Sequence, residues 1–141
     1  MTHELISPGS ADHWRNYHEI RRTVLWEARG NFGVYDDKHP DEHKHNHFPK
    51  LLLHDSAAIG VIRIDLHGQA AWFRRVAIKE DLQRNGHGRA LLALAENFAR
   101  QNGADSIESS VDEDAAPFYR KCGYTSHEGA LPTAMYKLIN E

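Results

Sequence analysis

The chain has 141 residues, 40% hydrophobic and 26% charged, with 17 Lys plus Arg against 20 Asp plus Glu for a formal charge of −3. That size suits a single domain over residues 1–141 that buries about two-thirds of its unfolded surface without a disulfide or a structural metal. One cysteine, Cys122, excludes an internal disulfide, no apolar run reaches the ~20 residues of a membrane span, and the small negative charge argues against a nucleic-acid binder. Met1 to Leu5 lack the basic and apolar regions of a secretory signal, so a cytoplasmic protein is expected.

In chain order, Leu5-Ile6 reads as a short first strand closed by Pro8-Gly9. Ser10 is a helix N-cap, and Trp14, Tyr17, His18, Arg21, Leu25 and Ala28 recur at spacings of three and four, predicting a helix to about Ala28. From Arg29 to Pro49 the periodicity fails, and a long irregular segment of this kind is usually functional or mobile. Three strands follow, Lys50 to His54, Ala57 to Leu66 and Gln69 to Ile78, as an antiparallel meander turning at Asp55-Ser56 and His67-Gly68. Gly86 to Gln101 is a helix with Ala90, Leu91, Leu94, Ala95 and Phe98 on one face, ended by Asn102-Gly103. Ser106 to Val111 is the next strand. Ala115 to Cys122 is a short helix that tolerates Pro117 in its first turn and stops at Gly123. Tyr124 to Ser126 and Ala134 to Ile139 close the chain as strands. The order β-α-β-β-β-α-β-α-β-β predicts an α/β (α+β) fold: a mixed, mostly antiparallel sheet of about seven strands flanked by helices.

The most informative stretch runs from Val76 to Leu92, where a strand leads through a glycine-bearing loop directly into a helix. The first amides of a helix lack internal partners and carry partial positive charge, so such a loop suits a phosphate. Gly86 and Gly88 allow close backbone approach, and Arg84 and Arg89 supply charge-assisted hydrogen bonds. The window Trp72 to Arg89 holds five basic residues against two acidic ones, which fits an anion site or a solvated face.

Gln83-Arg84-Asn85-Gly86-His87-Gly88 matches the Q/R-x-x-G-x-G/A pattern of the GNAT superfamily of N-acetyltransferases. Ala115-Ala116-Pro117-Phe118-Tyr119-Arg120-Lys121-Cys122-Gly123-Tyr124 resembles that family's A-x-x-F-Y-x-x-x-G-F segment, with Tyr124 in place of Phe. The resemblance implies acetyl-coenzyme A as cosubstrate and, as acceptor, a small-molecule primary amine or an exposed amino group, with direct attack in a ternary complex. It also implies that Val76, Ala77 and Ile78 pair with the pantetheine arm like an extra strand, and that Gln83, Arg84, Asn85, Gly86, His87, Gly88, Arg89 and Ala90 form the pyrophosphate seat. A backbone N–H near Val76 or Ala77 would polarise the carbonyl, and Tyr119 would be the general acid on sulfur; taken by itself, outside this motif, Tyr119 reads as a helix aromatic packed in the core.

The sequence departs from the family pattern at two places. Asp112 stands where the family often has an Asn that contacts the cofactor, and it is read here as a helix cap. No counterpart exists for the glutamate base that some relatives carry, which leaves Glu27, Asp65 or a histidine acting through water. Arg74 and Arg75 alternate along a strand, so one of them should face the acceptor; a salt bridge to a helix is the plain alternative. That pair leads to the expectation of a carboxylate-bearing or otherwise anionic acceptor, such as an amino acid derivative. His43, His45 and His47 share one side of an extended chain and could converge on a metal, although the run lies in an irregular segment with no nearby Cys. An acyl-CoA sensor without turnover is the alternative function, and a histidine-rich metal domain a third. A monomer or a homodimer is compatible with a small mixed sheet.

Overall fold

Three antiparallel pairings build one half of the sheet: β1 (His3–Ile6) on β2 (His47–His54), β2 on β3 (Ala57–His67), and β3 on β4 (Ala70–Ile78). The computed structural model describes residues 2–139. β4 then pairs in parallel with β5 (Ser106–Ser110), and β7 (Ala134–Leu138) lies antiparallel between β5 and β6 (Thr125–Ser126). The resulting seven-stranded order is β1-β2-β3-β4-β5-β7-β6, the mixed sheet that the pattern of elements predicts.

The β2–β3 hairpin turns on Asp55 and Ser56, whose φ angles of 50° and 74° are both left-handed, the twist that a two-residue hairpin needs. β3 is buried from Ile59 to Asp65 because both faces of the sheet are covered. On one face α1 (Ala11–Arg21) sets Tyr17 and Ile20 against Leu51, Val61 and Ala77. On the other, α2 (His87–Gln101) sets Leu91, Leu92 and Ala95 against Leu52, Ile62, Ile64 and Ile107. The alternation of Leu51 and Leu52 between these two clusters is the period-two geometry of a strand. The short α3 (Ala116–Lys121) joins the α2 side through Ala116 and Tyr119.

The first helix is capped by the Ser10 hydroxyl, which accepts from the His13 amide at 3.1 Å, as its sequence predicts. It does not stay α-helical to Ala28. After Arg21 it widens into a π-helical turn over Arg22–Trp26, with the Glu27 amide reaching back to the Arg22 carbonyl, and then tightens to a 3-10 turn over Glu27–Arg29. Gly30 ends it at φ 85°. The inserted residue changes the helical phase, and Val24 and Leu25 thereby come to line the cleft described below.

The irregular segment after Arg29 contains a 3-10 turn, Pro40–His43, and β2 begins at His47 rather than at Lys50. A buried polar cluster ties it to α1. The Tyr17 hydroxyl donates to Glu42 Oε2 at 2.8 Å, Arg21 donates to the Tyr17 oxygen at 2.9 Å, and Arg21 also pairs with Glu42 Oε1. No described helix is long and apolar enough to cross a membrane.

Candidate active site

β4 and β5 are paired only where Ala70, Ala71 and Trp72 meet Ser106, Ile107 and Glu108. Beyond that point β4 runs on to Ile78 without a partner on its β5 side. On its other side Val61 faces Ala77 while Arg63 faces Arg74, so β4 carries one residue too many, and Arg75 takes a left-handed φ of 57°. A bulge of this kind bends the strand and increases its twist. The two strands therefore splay around a cleft of about 680 Å³, lined among others by Val76, Ala77 and Ile78 from β4, by Ser109 and Ser110 at the end of β5 and by Val111 and Asp112 just after it. Its size is that of a small-molecule site.

The loop from β4 to α2 closes over the same cleft. Gln83 Nε2 donates to the Ile78 carbonyl at 3.0 Å, and Asn85 Nδ2 donates to the carbonyls of Leu82 and Gln83 at 3.2 and 3.3 Å. These amide side chains hold the loop in shape. Arg84 (φ 67°) and Gly86 (φ 86°) are both left-handed. The first amide of α2 to bond within the helix is that of Ala90, to the Gly86 carbonyl at 3.2 Å, and no side chain caps this end. The amides of His87, Gly88 and Arg89 are therefore left without helical acceptors, which is the arrangement that seats an anion.

The two glycines act differently. Gly86 supplies the backbone angle and has open space where a side chain would be, whereas a Cβ on Gly88 would lie 3.0 Å from Cζ of Phe118. Of the loop positions singled out in the sequence, Gln83, Arg84, Gly86, Gly88 and Arg89 line the cleft together with Val76, Ala77 and Ile78. Asn85, His87 and Ala90 do not. Asn85 buttresses the loop, the His87 ring turns away to His3, and Ala90 lies inside the first helical turn.

Tyr119 reaches the cleft from α3 and is otherwise buried, with 5% of its surface exposed. Burial pushes its phenol above the ordinary tyrosine value, against the opposing effect of the Ser109 hydroxyl beside it. The phenol therefore holds its proton at neutral pH. Ser109 in turn donates to the Phe73 carbonyl at 3.1 Å, bridging β5 to β4 near the point where they separate.

A family model for the GNAT acetyltransferases matches residues 11–124. The chain belongs to the GNAT acetyltransferase family. It is 26% identical over 112 residues to a Bacillus subtilis (strain 168) protein named as a presumed acetyltransferase, covering 75% of this chain and 72% of that protein. Its fold is that of a Lactobacillus plantarum protein described as a presumed N-acetyltransferase, with 24% identity, 99% of both chains covered and a TM-score of 0.78. It is also that of the PaiA N-acetyltransferase of Thermoplasma acidophilum solved in complex with coenzyme A, with 17% identity, 98% of this chain and 99% of that one covered and a TM-score of 0.74.

Within this GNAT acetyltransferase the two strand arginines part company. Arg74 is spent on an ion pair, Nε to Asp65 Oδ2 at 3.1 Å, on the neighbouring strand, and stacks over Trp72. Arg75 lines the cleft, lies over the Trp26 ring at 5.1 Å, and has no carboxylate partner among the described residues. Burial and the nearby Arg21, Arg63 and Arg74 lower its pKa from the ordinary arginine value.

None of the named base candidates faces the cleft. Asp65 is buried under a fork from Arg63, with both hydrogen bonds at 2.8 Å, and Glu27 pairs with Arg22 at 3.1 Å. Asp112 is not a side-chain cap. Its carboxylate pairs with Arg29, which offsets part of the repulsion that a bare carboxylate would exert on an anion in this cleft. Cys122 lies outside the cleft lining, and burial raises its thiol above the ordinary value.

The His43, His45 and His47 run does not converge. The His47 ring bonds the Asp41 carbonyl and approaches Asp65 at 3.4 Å, while His43 packs edge-on to Trp14. β2 starting at His47 divides the run between a strand and a 3-10 turn. Sequence reasoning left Val24, Leu25, Arg29, Ser109 and Phe118 without a place in the cleft. Phe118 alone had a signal, since it stands in the F-Y motif of α3; the others arrive through the π turn and the end of β5.

Proposed function

We propose that residues 1–141 act as one domain that moves an acetyl group from acetyl-CoA to a primary amine by direct attack in a ternary complex. The observation that carries the reading is the end of β4–β5 pairing at Trp72–Glu108, beyond which Val76 to Ile78 border the same cleft as the uncapped start of α2 and Tyr119. The residues present fit coenzyme A. The free amides of α2 and the Arg84 and Arg89 guanidinium groups suit its pyrophosphate, and the unpaired edge of β4 suits a pantetheine arm laid alongside as an added strand.

Acetyl-CoA supplies the activated thioester. The amide of Val76 or Ala77 donates to the carbonyl oxygen, where charge develops as the amine attacks. Tyr119, kept protonated by burial, would give its proton to the sulfur as the C–S bond breaks, while the proton shed by the attacking amine would leave through water to the solvent. Arg75, lining the cleft without a carboxylate partner among the described residues, favours an acceptor that carries a carboxylate or another anion. The free Cys122 suits a reducing compartment, and a cytoplasmic location is part of this reading.

Free-thiol release from acetyl-CoA with a panel of amines tests it, comparing the wild type with Tyr119→Phe and with a Gly86→Glu/Gly88→Glu double variant. Amine-dependent release that falls in both variants is expected. Acetyl-CoA binding without release for any amine would favour the acyl-CoA sensor instead.

A further inference from the structure

Three histidines far apart in the sequence meet at the β1 edge of the sheet, outside the cleft. His3 of β1 pairs in register with His54 at the end of β2, and their rings stack with centroids 4.4 Å apart. His87, the first residue of α2, brings its ring within 5.2 Å of His3 and 4.8 Å of His54. One ring nitrogen from each residue lies within 4.8 Å of the other two. His3 Nε2 and His87 Nδ1 are 2.9 Å apart and share a hydrogen bond. His54 Nε2 is buried with no hydrogen-bond partner among the described residues, and the Asp55 Oδ2 atom is 3.8 Å from it.

A buried nitrogen without a partner calls for an explanation, and an ion is one of the standard ones. Neutral imidazoles each offer a lone pair. Around a tetrahedral zinc ion with Zn–N bonds of about 2.0–2.1 Å, ligand nitrogens stand roughly 3.3 Å apart. The His3–His87 pair is already near that spacing, and the His54 ring has to close by about 1.5 Å at most.

We propose that His3, His54 and His87 form a site for one divalent transition-metal ion of the zinc type, with water or the Asp55 carboxylate in the fourth position. Three imidazoles select zinc, cobalt or nickel over magnesium and calcium, which prefer oxygen. The ion ties β1 and the end of β2 to the first turn of α2, and so anchors the loop that ends at Gly86. This site is independent of the acetyl-transfer reading.

The chain has eleven histidines, so the test must separate this trio from the rest. The tag-free, metal-stripped protein is titrated with Co²⁺, whose visible absorption reports tetrahedral coordination, and then with Zn²⁺ to displace it. Wild type is compared with His3→Ala, His54→Ala and His87→Ala, and with a His43→Ala/His45→Ala control. One tetrahedral Co²⁺ per chain is expected, displaced by Zn²⁺, with Tm rising by roughly 5–10 °C at zinc a hundredfold above Kd. Each single variant should bind at least about tenfold more weakly, and the control should bind like wild type. Each variant is compared with its own metal-free Tm, so one that folds less well still reports whether metal raises it. No tetrahedral band in wild type, or a band that survives His54→Ala and is lost in the control, would overturn the proposal.

Discussion

Gly88 and Phe118 touch so closely that a Cβ on the glycine would stand 3.0 Å from the ring Cζ, and this contact sets how the first turn of α2 meets α3. Both residues line the cleft. Gly88→Val places further methyl groups where the ring now lies, and overpacking of this kind costs about 1–3 kcal/mol. Denaturant titration of Gly88→Val, Phe118→Ala and the double variant checks it. The double variant should be more stable than the sum of the two single losses, and strict additivity would show that the contact is not tight.

For Tyr119→Phe the expected outcome is a fall in kcat of about a hundredfold with an unchanged KM for acetyl-CoA, because only the proton is lost from the reaction. The stability change should stay near 1 kcal/mol, the worth of one buried hydroxyl hydrogen bond. A KM that rises while kcat holds would make Tyr119 a packing residue alone.

Arg74 and Arg75 give opposite expectations. Arg74→Ala removes a pair whose arginine side is 41% exposed, so it should cost less than about 1 kcal/mol and leave the acceptor KM alone. Arg75→Ala should raise the KM for anionic acceptors roughly tenfold while neutral amines are unaffected. Steady-state kinetics with matched acidic and neutral amines distinguishes these outcomes.

Glu42→Ala strands the buried Arg21 charge, whose Nε already lacks a partner among the described residues. Breaking a buried pair in this way costs about 3–5 kcal/mol. Because Glu42 also receives the Tyr17 hydroxyl, the segment from Gly30 to Asn46 should lose its hold on α1 and become the first site of limited proteolysis. Cleavage elsewhere, with Tm unchanged, would contradict this.

Four of the five tyrosines are held above the ordinary value, Tyr17, Tyr119 and Tyr124 strongly and Tyr35 to about 12, with burial the first cause in each. A group whose folded pKa is raised binds its proton more tightly when folded. Its stabilisation is complete below the unfolded value of about 10 and is lost as pH climbs from there toward the folded value. Tm should therefore fall above about pH 10, and tyrosinate absorbance should rise together with unfolding for these four residues. Their ionisation in a still-folded protein at pH 11 would contradict the burial.

The order of elements, the Ser10 cap, the Asp55-Ser56 turn and the loop from Gln83 to Gly88 were legible in the sequence because each depends on local rules: side-chain period, capping chemistry and the backbone freedom of glycine. The position of Tyr119 followed from the motif that surrounds it. Local rules are silent about neighbours across the sheet. Nothing in the spacing of Arg74 and Arg75 says that Asp65 claims the first, since that pairing depends on the β3–β4 register and on the bulge at Arg75. The π turn that brings Val24 and Leu25 to the cleft, the Arg29–Asp112 pair across 83 positions, and the meeting of His3, His54 and His87 are likewise fixed by packing. The sequence by itself determined which segments are strands and helices and which loop opens α2; only the tertiary structure decided which polar side chains are spent on one another and which remain facing the cleft, because buried charges and ring nitrogens find their partners through space.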